Sequence, residues 1–141
     1  MGEKEFDNQT TGMAGEFLTV GKLFKKGLQT TVTFGNAKGI DILAENPEGK
    51  IYKVQVKTSR KNKENFRMQE NKIKPDYICV FVVLNDFGDK EDYYIVRGSE
   101  ILNDVNKFFG QTYNKENPPK GSAIRYKALT EYQNKWNVFE E

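Results

Sequence analysis

The chain of 141 residues is 37% apolar and 13% aromatic, enough for a single folded domain over 1–141 with a sizeable core. Lys and Arg total 22 against 20 Asp and Glu, a formal charge of +2, so nucleic-acid binding would have to come from local clustering. There is no His and only one Cys, Cys79, which excludes His-based triads and dyads, His-ligated zinc or haem, an intrachain disulfide and a cysteine zinc site. Carboxylates, lysines, hydroxyls and a hard metal ion are what remains for catalysis.

In chain order, residues 1–9 are polar and are expected to be disordered. They lack the apolar stretch of a signal peptide, and Phe6 stands where a myristoylation pattern wants Ser or Thr. No run approaches the ~18 apolar residues of a membrane span, so the expected setting is cytoplasmic, with no membrane partner. Residues 11–26 read as a helix, with Met13, Phe17, Val20 and Phe24 as its apolar stripe, Thr10 or Thr11 as cap and Gly27 as terminator. Residues 28–34 are β-branched and aromatic, hence a strand, with Gly35-Asn36 as the turn after it. Residues 39–45 and 50–58 are two further strands, joined through Asn46-Pro47-Glu48-Gly49 as a hairpin.

The stretch 59–76 is polar and basic, with a short edge strand around 65–68. The unbroken apolar run 77–84 is a buried strand, which makes Cys79 an inert core thiol. Residues 92–97 form its partner strand, Ser99 caps a helix to about Phe109, and 110–121 is loop. The tail holds a short strand at 123–126 and a helical turn within 130–139. Tyr93, Tyr94 and Trp136 are expected in the core. The order describes one α/β domain with a mixed sheet.

Strand parity locates the chemistry. On 50–58, Tyr52, Val54 and Val56 share one face, and Lys53, Gln55 and Lys57 the other. Asp41 stands between Ile40 and Ile42, where an acid is costly to bury unless paired, hydrogen-bonded or metal-bound. The hairpin brings Asp41 close to Gln55 and Lys57. A carboxylate, an amide oxygen and a lysine in one patch suit metal-assisted phosphodiester hydrolysis. Asp41 would anchor Mg²⁺ or Mn²⁺, and Lys57 would orient water or stabilise charge on the phosphate. Glu16, at the border of the helix stripe, can reach the same patch. Each residue also has an ordinary reading: Asp41 as a satisfied acid near a turn, Lys57 as a lysine reaching solvent, Glu16 as a solvated helix residue.

The run Gly12-Met13-Ala14-Gly15-Glu16, then Gly39-Ile40-Asp41, then Val54-Gln55-Val56-Lys57-Thr58 resembles the PD-(D/E)XK nuclease superfamily. Its small resolvase-like and intron-encoded endonuclease-like members are the most similar. The resemblance covers residues 11–60 well. The closing Glu131-Tyr132-Gln133-Asn134-Lys135-Trp136 is similar to an ending of such proteins. The bare acid-or-amide-x-Lys pattern also occurs at Glu48–Lys50, Glu70–Lys72 and Gln133–Lys135, but those lie in turns or polar stretches.

The resemblance implies a restriction-endonuclease-like mixed sheet flanked by helices and a Mg²⁺-dependent deoxyribonuclease. It assigns Glu16, Asp41, Gln55 and Lys57 to catalysis, with Asp41, Gln55 and Glu16 on the metal. It also implies DNA as partner and a homodimer for double-strand cutting. Ser59, Arg60, Lys61, Lys63 and Arg67, with Thr58, are the expected phosphate-tracking surface. Gln55 departs from the acid usual at its place. The competing readings are therefore a catalytically inactive nucleic-acid-binding module of the same fold, and a protein-interaction domain in which Asp41–Lys57 is only a salt bridge.

Overall fold

The computed structural model describes residues 7–37, 39–60 and 65–141. Asp7 opens the first helix, α1 (Asn8–Lys25): its Oδ1 accepts the Thr10 N–H at 2.6 Å, satisfying a donor that a helix N-terminus leaves free. The helix therefore starts earlier than residue 11, its cap is Asp7 and not a threonine, and residues 7–9 are ordered structure where disorder was expected. Residues 1–6 lie outside the described part. Gly27, at φ +91°, closes the helix as expected, its N–H bonding Phe24 O at 2.9 Å.

The expected stripe on α1 is corrected. The buried residues are Thr11, Gly15, Thr19 and Leu23, whereas Phe17 and Phe24 are 52% and 49% exposed. The reason is close approach. A Cβ on Gly15 would stand 1.8 Å from Thr58 Oγ1 on the sheet, so only small residues fit the line of contact. Ala14, Leu18 and Val20 pack from its flanks. Thr19 is tolerated there because its hydroxyl donates to Gly15 O at 2.8 Å. Phe17 instead leans on Phe34.

The strands are β1 (Gln29–Ala37), β2 (Ile40–Glu45), β3 (Ile51–Arg60), β4 (Asn65–Arg67), β5 (Tyr77–Leu84), β6 (Asp92–Arg97) and β7 (Ala123–Arg125). Five of them form a mixed sheet in the order β1-β2-β3-β5-β6. β1–β2, β2–β3 and β5–β6 pair antiparallel, and β3–β5 parallel from Lys53↔Tyr77 to Arg60↔Leu84. The expected β2–β3 hairpin is present. Asn46 Oδ1 accepts the N–H groups of Glu48 and Lys50, and Gly49 takes φ +91°. Gly35-Asn36 is not a turn. β1 runs on to Ala37, with its register shifted between Val32 and Ala37.

Both faces of the sheet are covered, which is why all of β5 is buried. One core lies under α1 and the closing 3-10 segment Trp136–Glu140, and holds Leu23, Ile42, Val54, Val80 and Ile95. Tyr93 belongs to it, and the Trp136 ring packs at a tilt against Tyr93 from its edge. The second core holds Cys79, Phe81, Tyr94, Ile101, Phe108 and Ile124. Its cover is the two-stranded β4–β7 ribbon with α2 (Gly98–Asn103) and α3 (Val105–Phe109). The single helix expected after Ser99 is thus two, broken at Asp104. Gly98 starts it because a Cβ there would meet Lys74 O at 2.1 Å. Among the described residues no helix is long and apolar enough to cross a membrane.

Candidate active site

β2 and β3 divide their side chains as parity demands. Ile42, Ala44, Tyr52, Val54 and Val56 enter the core under α1, which turns Asp41, Gln55 and Lys57 to the opposite face. On that face the second core covers β5 through Cys79, Phe81 and Val83. The three polar residues stand at its margin.

The β2–β3 ladder pairs Ile42 with Val54. Beyond that pair the Asp41 side chain takes over, its Oδ2 accepting the Val56 N–H at 2.7 Å. This fixes the carboxylate against β3. Burial lifts its pKa above the ordinary 3.8, and the Val56 hydrogen bond and the Lys57 charge only partly oppose that rise. Glu16 is half-buried on α1, next to Gly15. Its pKa is also raised, by burial first and the Asp41 charge second, with Lys57 pulling it back. Two carboxylates thus share one partly dehydrated patch with one ammonium group.

Gln55 is 4% exposed. It lies opposite Cys79 in the β3–β5 ladder, and its Oε1 faces the Cys79 thiol at 3.8 Å. Burial pushes the thiol up to about 12, so Cys79 stays protonated and holds the amide in place. An amide oxygen keeps a second lone pair. The donor set of Glu16, Asp41 and Gln55 is all oxygen, with an excess of negative charge in low dielectric, and fits a hard divalent cation. Among the described residues there is no group of three or more His, Cys, Asp or Glu that could hold a metal. The set here has only two acids and relies on an amide.

The site opens on a cleft of about 800 Å³. Gln55 and Lys57 line it together with Arg67, Lys72, Lys74, Lys115 and Lys120. Glu70 also lines it, but accepts the Tyr113 hydroxyl at 2.8 Å and lies 3.7 Å from Lys115 Nζ. Burial and that bond raise Tyr113 to about 12. The wall is therefore strongly cationic.

The expected phosphate-tracking surface changes accordingly. Arg67 is exposed in the cleft. Ser59 is buried and donates to Arg60 O, so its hydroxyl does not face a ligand. Thr58 Oγ1 is likewise buried, under Gly15, and has no hydrogen-bond partner among the described residues. Arg60 ties β3 to α1 through Thr11 Oγ1 at 3.0 Å. Lys61 and Lys63 lie outside the described residues. Lys115 and Lys120 fall in a stretch that sequence alone marks only as loop. The rigid Pro118-Pro119 between them is the one signal that this loop could form a wall.

The fold is the restriction-endonuclease-like fold. The structure is similar over 95% of this chain and 93% of the other to a bacterial homing endonuclease, I-Ssp6803I, at TM-score 0.58 and 16% identity. A restriction endonuclease solved in complex with substrate DNA aligns over 89% of this chain and 64% of that one, at TM-score 0.45 and 15% identity. No family model and no curated protein matches the sequence.

Proposed function

We propose that this chain is a metal-dependent nuclease that hydrolyses phosphodiester bonds of DNA. The observation that supports the reading is that Asp41, Gln55 and Lys57 stand on the same face of β2 and β3, with Gln55 and Lys57 lining a cation-rich cleft and Glu16 near enough to feel the charges of Asp41 and Lys57. The fold is similar to that of a homing endonuclease, which agrees with it. Glu16, Asp41 and Gln55 would hold Mg²⁺ or Mn²⁺. The chemistry such an ion supplies when bound is Lewis-acid polarisation of the phosphodiester.

The chain's own residues do the rest. The Val56 N–H keeps Asp41 oriented, the Lys57 charge favours its ionised form, and Cys79 keeps the Gln55 amide from turning. Lys57, in the lining of the cleft, stabilises the negative charge that builds on the phosphate oxygens. The cleft lysines hold the flanking backbone. Cutting both strands of a duplex calls for two such sites, so a homodimer is part of the reading.

The departure at Gln55 has a physical account in this setting. A third carboxylate there would be almost fully buried beside a neutral thiol, a costly arrangement without the metal. The same feature favours the second reading, a binding module that lost its chemistry, since an amide contributes no charge to a cation.

Plasmid nicking in Mg²⁺ and Mn²⁺, with DNA affinity measured in parallel, separates the two. Lys57→Ala is expected to lose on the order of a hundredfold or more in cleavage rate while retaining most binding. Wild-type protein that binds DNA but cleaves with neither ion would leave the binding module standing.

A further inference from the structure

The β4–β7 ribbon has two faces of opposite character. Its inward side chains, Phe66 and Ile124, are 3% and 0% exposed in the second core, and Phe66 meets the Phe81 ring edge-on at 5.2 Å. Its outward positions are Asn65, Arg67, Ala123 and Arg125, with Asn65 directly opposite Arg125 and Arg67 opposite Ala123. No acid stands among these four.

The distribution of arginine sharpens the contrast. The chain has four arginines, Arg60, Arg67, Arg97 and Arg125. Arg60 is hydrogen-bonded to Thr11, and Arg97 is paired with Glu100 and Glu141. The other two are on the outer face of the ribbon. Among the described residues neither guanidinium has a hydrogen bond or ion pair. The other cations lining the cleft are all lysines.

Lysine is a point charge suited to phosphate, whereas Arg presents a planar two-pronged donor and Asn a planar donor–acceptor pair, patterns that match base edges. A two-stranded β-ribbon fits the major groove of B-form DNA. Arg67 belongs both to the ribbon and to the cleft that holds Lys57, so a duplex bound at the cleft passes the ribbon.

We infer that the outer face of the β4–β7 ribbon reads base edges of duplex DNA in the major groove, through Asn65, Arg67 and Arg125. This rests on the proposal that the chain acts on DNA, and not on its being catalytically active. The anchored inner face makes the ribbon a rigid reader, and the lysine wall supplies affinity without sequence information.

The test is a binding selection in EDTA from a randomised B-form duplex library, read by sequencing, for wild type and for Arg67→Lys, Arg125→Lys and Asn65→Ala. The wild type should enrich a motif. Each arginine-to-lysine variant should lose a roughly ten- to hundredfold base preference at one or two positions while keeping its affinity for unselected DNA within a few-fold. Lysine keeps the charge, and circular dichroism melts confirm folding.

A wild type that binds the library but enriches no motif overturns the inference and leaves the nuclease reading intact. So does a motif unchanged in all three variants. A wild type that binds no duplex overturns both. A protein that enriches a motif yet never cleaves sinks the catalytic reading and leaves the ribbon reading standing.

Discussion

Gly15 of α1 lies so close to Thr58 of β3 that no side chain fits between them: a Cβ on Gly15 would be 2.8 Å from the Thr58 Cβ as well as 1.8 Å from its Oγ1. This contact sets the depth at which α1 seats on the sheet and hence the position of Glu16, the next residue. Gly15→Ala must push the helix outward. Overpacking of this kind costs about 1–3 kcal/mol, and cleavage should fall because Glu16 moves with the helix. A methyl group on Gly12 would meet nothing within 4 Å, so Gly12→Ala should gain roughly 0.5–1 kcal/mol of helix propensity. Urea denaturation of both variants checks the opposite signs. Thr58→Ala removes the Oγ1 and Cγ2 contacts but keeps the Cβ, so it should rescue Gly15→Ala in part in a double-mutant cycle, and additive effects would disprove the steric account.

Thr58 carries a second expectation. Its hydroxyl is buried without a partner among the described residues, a state that costs on the order of 1–3 kcal/mol relative to a satisfied or absent group. Thr58→Val keeps the branched shape and removes the polar atom. The variant should melt higher than wild type by calorimetry. A lower melting temperature would mean that the hydroxyl is satisfied in solution.

The hairpin and the face carrying Asp41, Gln55 and Lys57 were legible in the sequence, because the turn at Asn46–Gly49 imposes an antiparallel pair and β-strand parity then leaves no freedom. The seating of α1 was not. Hydrophobic periodicity favours the large residues Phe17 and Phe24, whereas close packing selects the small ones at Gly15 and Thr19. Nor could local pattern reveal that β4 leaves the main sheet to pair with β7, or that the loop of Lys115 and Lys120 folds across to face Lys72 and Lys74. Those contacts join segments far apart in the chain. The partnership of Gln55 with Cys79 depended on the parallel β3–β5 register, which two isolated strands do not specify.

The raised pKa of Asp41 makes stability depend on pH in a direction that can be worked out. Between the ordinary value near 3.8 and its lifted value, the folded protein binds more protons at this group than the unfolded chain does. Its contribution to stability therefore falls as pH rises through that window, and above the lifted value the loss is complete. Asp41→Asn retains an oxygen for the Val56 N–H and removes the charge. In EDTA the variant should melt above wild type at neutral pH, and the gap should close as pH is lowered through the lifted pKa. A gap independent of pH would show that burial of the ionised carboxylate is not its cause.

The lysine wall makes the last prediction. Lys72 and Lys74 line the cleft from one segment and Lys120 from another, and each neutralised phosphate contributes to the salt dependence of binding through counterion release. Substituting one by Gln should weaken binding to every duplex alike and reduce the slope of log affinity against log salt by about 1. Lys53 serves as the control. It is bonded to Asp76 at 2.9 Å and is not part of the cleft lining, so Lys53→Gln should leave the slope unchanged. Fluorescence anisotropy with a labelled duplex across a salt series measures both quantities. Equal slopes for wild type and all three cleft variants would place the DNA elsewhere on the molecule. A slope that drops for Lys53→Gln would mean that the phosphate track runs past the first residues of β3 instead.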